Sequence, residues 1–159
     1  MGRSPRNNEP AKLDSARLPA PRNRTMALDT STPVLVVDDY NTMVRIIKNL
    51  LRQLGFVDVD DASDGSSALE KMHAKRYGLV ISDWNMEPMT GFDLLREVRA
   101  DPKLEETPFI MVTAESKTEN VIAARKAGVS NYIVKPFNAQ TLKAKIEAVL
   151  SKRTETASI

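Results

Sequence analysis

From Pro33 to about Leu150, short apolar runs alternate with stretches of helical period. Val34-Leu35-Val36-Val37 is apolar at every position, the mark of a strand buried on both faces, and it runs straight into Asp38-Asp39. Met43, Val44, Ile46, Ile47, Leu50, Leu51 and Leu54 then recur at helical spacing, and Gly55 supplies a stop. Val57 to Asp61 reads as a second strand, followed by a helix that Asp64 caps and that carries Ala68, Leu69 and Met72. Leu79-Val80-Ile81 is the third strand. Thr90-Gly91-Phe92-Asp93 has the form of a capping box, opening a helix with Phe92, Leu95 and Val98 inward. Residues 108–113 supply the fourth strand, and a helix from about Lys117 to Ala127 follows, closed by Gly128. Asn131-Tyr132-Ile133-Val134 is the fifth strand, and Asn138 caps a last helix bearing Leu142, Ile146, Val149 and Leu150.

Five strand–helix pairs joined by short loops predict a parallel sheet covered on both faces, a doubly wound α/β domain over residues 33–151. Such sheets bind ligands beyond the carboxyl ends of their strands, near the point where strand order reverses. The first strand ends in Asp38-Asp39, the third in Asp83, the fourth in Thr113 and the fifth in Lys135-Pro136. Turn chemistry accounts for each of these residues singly. It does not account for their placement on four of five strand ends.

Composition narrows the classes. The chain has no cysteine, which excludes a disulfide framework, a zinc–thiolate site and thiol catalysis. No apolar stretch approaches the roughly 20 residues that span a bilayer, and the N-terminus has no apolar core of a secretory signal, so a soluble cytoplasmic protein is expected. The formal charge of +2 is local: residues 1–25 hold six basic residues against Glu9 and Asp14, which leaves 17 basic and 19 acidic residues for the rest. The globular part is mildly acidic, and no nucleic-acid partner is expected. Residues 1–32, with Pro5, Pro10, Pro19 and Pro21 and few large apolar side chains, read as a disordered basic extension. Met26 is an alternative start. Residues 152–159 read as a flexible tail.

Three carboxylates in a small volume repel one another, and a divalent cation is the natural neutraliser. An all-oxygen donor set favours Mg²⁺ or Mn²⁺. Mg²⁺ takes one or two carboxylates and keeps its waters, which leaves Asp83, the central acid, free to attack phosphorus and form an acyl phosphate. Asp39 is then a metal ligand, with Lys135 and Thr113 neutralising phosphoryl oxygens.

The motifs VLVVDD, VISDWNM, MVTAE and YIVKPF, in that order, resemble the receiver domain of two-component response regulators, and more narrowly the single-domain chemotaxis regulators of the CheY type. The resemblance runs from about Val34 to Leu150. It implies the flavodoxin-like strand order 2-1-3-4-5 with five helices, an arrangement taken from the family and not read from the pattern. It implies that Asp83 accepts a phosphoryl group from a CheA-like sensor histidine kinase. Asp38 and Asp39 match the acidic pair, which with Asp83 and the Asn85 backbone carbonyl holds the metal, and Thr113 and Lys135 match the switch hydroxyl and the lysine. Tyr132 matches the aromatic that turns inward on phosphorylation. Output would pass through residues 115–150, in a monomer, to the flagellar motor switch or another protein target. A phosphate sink or phosphorelay intermediate is the alternative within the same chemistry. The alternative class is a metal-dependent phosphotransferase or phosphatase, but the second acid such enzymes carry two residues past the nucleophile is here Asn85. Asp39-Tyr40-Asn41-Thr42 is no glycine-rich phosphate loop.

Two positions depart from the family pattern. Glu87 stands where proline is usual, and Thr90 where aspartate precedes the glycine. Threonine caps a helix nearly as well as aspartate. Glu87 adds an acid beside the site, as a solvated loop residue, a partner of Lys135 or a further metal ligand.

Overall fold

The computed structural model describes residues 28–114 and 118–158. Expectations for residues 1–27, including the start at Met26, lie outside the described residues. Ten elements alternate: β1 (Val34–Val37), α1 (Asn41–Gln53), β2 (Val59–Ala62), α2 (Gly65–Ala74), β3 (Leu79–Asp83), α3 (Gly91–Ala100), β4 (Phe109–Thr113), α4 (Thr118–Lys126), β5 (Asn131–Val134) and α5 (Ala139–Ser158). The five strands form one parallel sheet in the order β2-β1-β3-β4-β5. The chain starts beside the centre, steps out to β2, then returns across β1 to β3. That reversal places the ends of β1 and β3 side by side.

Alternation along the strands divides the core into two layers. Val34, Val36, Leu79, Ile81, Ile110, Val112 and Ile133 face α1 and α5, where Ile47, Leu51, Leu142 and Ile146 complete a buried cluster. Leu35, Val37, Val80, Phe109 and Met111 face the other way, onto Ala68, Met72, Leu94, Leu95 and Val98 of α2 and α3. Each large side chain so removed from water contributes roughly 1.5–3 kcal/mol.

The structure departs from the sequence reading at several places. β2 begins at Val59, in register with Val34, and Val57 is 85% exposed. The acids at its start and within it are paired from neighbouring helices: Lys75 holds Asp58 and Asp60, and Lys48 holds Asp61. The apolar stripe of α1 is wider than its contact face, so Val44, Ile47 and Leu51 are buried while Ile46 is exposed. In α3 Leu94 is buried and Phe92 only half-buried. Residues 28–32, expected as the end of the extension, are folded: Leu28 packs on the α1/α5 layer, and the Thr32 N–H donates to the Asp29 carbonyl at 3.1 Å. α5 continues to Ser158, through residues expected as a flexible tail, because no glycine or proline follows Leu150 to stop it. Among the described residues, no helix is long and apolar enough to cross a membrane.

Candidate functional site

The sheet order gathers the predicted strand-end residues at one edge. Asp38 and Asp39 follow β1, Asp83 closes β3, Thr113 closes β4 and Lys135 follows β5. One carboxylate oxygen from each of Asp38, Asp39 and Asp83 lies within 4.8 Å of the others. Asp38 and Asp83 are buried at 2% and 6% exposure, Thr113 is buried too, and Asp39 opens to solvent. Both oxygens of Asp83 are engaged: the Lys135 ammonium lies 2.8 Å from Oδ1, and the Asn85 backbone N–H donates to Oδ2 at 3.1 Å. The Lys135 N–H donates to the Thr113 carbonyl at 2.8 Å, which ties the fourth and fifth strand ends together.

Asp38 is the least satisfied member of the set. Its Oδ1 accepts from the Tyr40 N–H at 3.0 Å, while Oδ2 is buried without a partner among the described residues. Burial, with the charges of Asp83 and Asp39 added, pushes its pKa up to about 6, against the pull of the Tyr40 N–H and Lys135. Among the described residues one ammonium, on Asp83, thus faces three carboxylates, and a buried oxygen has lone pairs to spare. Only oxygen donors converge. That chemistry fits a hard divalent cation.

Backbone packing fixes Asp83 in place. The Trp84 N–H donates to the Val112 carbonyl, and the Gly91 N–H to the Trp84 carbonyl, both at 2.9 Å. A Cβ on Gly91 would stand 2.0 Å from the Asp83 carbonyl oxygen, so only glycine lets α3 start against the end of β3. The capping box forms as predicted, with the Asp93 N–H donating to Thr90 Oγ1 at 3.0 Å and the Thr90 N–H to the Asp93 carboxylate at 3.3 Å. Sequence reasoning missed the close approach of Gly91. The one available signal was a poor helix former directly after a good cap. The indole of Trp84 stacks on Phe92, with centroids 5.4 Å apart and planes 18° off parallel.

Residues 34–147 match the family model for the response regulator receiver domain. The chain belongs to the response regulator receiver family. Two relatives make the likeness narrower. The chemotaxis protein CheY of Pseudomonas aeruginosa is 53% identical over 119 residues, which cover 75% of this chain and 96% of that protein. Chemotaxis protein CheY-3 of Vibrio cholerae is 47% identical over 125 residues, covering 79% and 96%. Among solved structures, Vibrio cholerae CheY4 matches with a TM-score of 0.70 and 35% identity over 74% of this chain and 98% of that one. The receiver domain of the sensor histidine kinase PA1611 of Pseudomonas aeruginosa, with a magnesium ion coordinated in its active site cleft, matches with a TM-score of 0.67 and 26% identity, covering 75% and 98%. The protein is a CheY-like receiver of the chemotaxis type, in a regulatory family.

Two predicted residues of the receiver stand apart from the convergent cluster. Glu87 is exposed on the loop between β3 and α3 and makes no ion pair among the described residues. Lys135 is engaged by Asp83 instead. Tyr132 lies in the middle of β5, level with Met111 of β4, and is half-buried against the α2/α3 layer. Arg125 of α4 and Lys145 of α5 stand over its ring, 5.8 and 5.3 Å from the centroid. Residues 115–117, the start of the expected output surface, lie outside the described residues.

Proposed function

We propose that this receiver takes a phosphoryl group onto Asp83 from the phosphohistidine of a CheA-like sensor histidine kinase and signals by binding a protein target, the flagellar motor switch. The observation that carries the reading is the meeting of Asp83, the acidic pair and the Lys135 ammonium at one edge of the sheet. In the transfer, one Asp83 oxygen forms a bond to phosphorus as the N–P bond of the donor breaks. The electron pair stays on the imidazole nitrogen, which takes up a proton. Lys135, now on Asp83 Oδ1, is placed to shift its hydrogen bond to a phosphoryl oxygen, and the buried Thr113 hydroxyl is the donor for a second. Asp39, Asp38 and the Asn85 carbonyl would hold Mg²⁺, which supplies charge neutralisation at the remaining oxygen. Drawing Thr113 toward the phosphoryl group vacates space for the Tyr132 ring, and a change of a few kcal/mol at this point biases the surface formed by α4, β5 and α5.

Acetyl phosphate with Mg²⁺ is the direct test. Intact mass should show one phosphoryl group per chain, absent in Asp83→Asn, with no turnover of other phosphoesters. Steady turnover of phosphoesters would make the protein an enzyme and sink the reading. Capture of motor-switch protein by the phosphorylated form assigns the output, and capture of kinases alone assigns a phosphate sink. Glu87→Gln reads the part of the loop acid. Its exposure makes unchanged Mg²⁺ affinity the expected result, and a clear fall in affinity would place it among the ligands.

A further inference from the structure

Arg99, in the last turn of α3, reaches across to two other segments at the end of the sheet remote from Asp83. Its Nε donates to the Gly128 carbonyl at 2.8 Å, and one terminal nitrogen donates to the Glu105 and Thr107 carbonyls at 2.8 and 2.7 Å. The other terminal nitrogen lies 3.5 Å from Ser130 Oγ, which itself accepts from the Phe109 N–H at 3.0 Å. The guanidinium is half-buried, and that burial lowers its pKa without threatening its charge. Gly128 takes a left-handed φ of 95°, and a Cβ there would stand 3.1 Å from Arg99 Nε. One side chain therefore ties the loop before β4 and the turn after α4 to the end of α3.

The position of this tie matters for motion. In a parallel crossover α4 begins on the side of the sheet where Asp83 lies and ends on the opposite side. Its C-terminal end is also closed by backbone bonds from Gly128 to Arg125, Val129 to Ala124 and Ser130 to Phe109. We propose that Arg99 is a positioning residue for the switch surface, a latch that holds the C-terminal end of α4 still. Movement driven from Asp83 is then confined to the first turns of α4 and to Tyr132, and α4 pivots instead of sliding. The inference rests on Asp83 as phosphoryl acceptor. A fixed pivot converts a small displacement at Thr113 into a tilt of a whole helix face.

Amide hydrogen exchange on the full chain, before and after acetyl phosphate with Mg²⁺, reads this directly. In the wild type, exchange should change at Thr113, the first turn of α4 and Tyr132, and stay constant at Ala127, Gly128, Val129 and Ser130. In Arg99→Met those four amides should exchange on the order of tenfold faster and become responsive to phosphorylation. Asp83 should still take label. Arg99→Lys keeps the charge but puts its donors on one nitrogen, where the guanidinium reaches Gly128 and the Glu105 and Thr107 carbonyls from two, so it should fall between, and it stands in if the Met variant does not fold. Equal responses at both ends of α4 in the wild type, or unaltered exchange at residues 127–130 in the variants, overturns the latch. Failure of Asp83 to label counts against the phosphoacceptor reading instead, and the unlabelled proteins then decide the latch by residues 127–130 alone.

Discussion

At the residue scale, Asp38 combines burial with an oxygen that no group among the described residues satisfies. Its pKa is raised from the ordinary aspartate range to about 6. The folded state therefore holds its proton more tightly than the unfolded chain does. The associated stability is fully present below about pH 4, falls as pH rises toward about 6 and levels off above that. Asp38→Asn should remove this decline. At pH 7 and without metal, the variant should be more stable than the wild type by about 1–3 kcal/mol, allowing for relaxation around the buried charge. Urea unfolding at pH 4 and pH 7 checks both parts, and equal pH dependence in the two proteins would refute the assignment. The same residue illustrates a cost of function: a site ready for a cation is destabilising without one.

At the element scale, the junction of β3 and α3 sets how accurately Asp83 is presented. Two neighbours at that junction contribute very differently. Thr90→Ala removes one half of the capping box and should cost about 1 kcal/mol, since water can serve the freed N–H. Gly91→Ala drives a Cβ into the Asp83 carbonyl, a backbone atom that cannot rotate away. It should cost more than about 3 kcal/mol, or displace α3 and abolish phosphoryl uptake. Denaturant midpoints of the two variants, measured together, test the contrast. A Gly91→Ala protein as stable as Thr90→Ala would show that the contact yields. The capping box was legible because it is a local pattern of hydrogen-bonding side chains. The close approach was not, because it depends on where a different element ends.

At the scale of the whole molecule, the acids that meet at the site come from strand ends 44 and 45 positions apart in the chain, Asp38 and Asp39 against Asp83. They are neighbours only when the sheet is formed, so a cation that binds them binds the folded state alone. Mg²⁺ at a hundred times its dissociation constant should then raise the free energy of unfolding by about 2.7 kcal/mol. Asp39→Asn should lose most of that gain, and Trp84 fluorescence should titrate with the metal in the wild type. Unfolding curves that are indifferent to millimolar Mg²⁺ would remove the cation from the account.

The sequence by itself determined the alternation of strands and helices, the inward faces of most elements and the residue types at the strand ends, because these follow from local periodicity and local capping. It was less decisive where a pattern needs a partner to complete it. The apolar stripe of α1 did not reveal that Ile46 stays outside, nor Val57-Asp58 that the edge strand starts late, since burial depends on what packs opposite. Only the tertiary structure decided that Lys135 rests on Asp83, that one oxygen of Asp38 finds no partner among the described residues and that Glu87 faces solvent. Those are distances between side chains on separate strands, fixed by sheet order and register, and no one-dimensional pattern carries them.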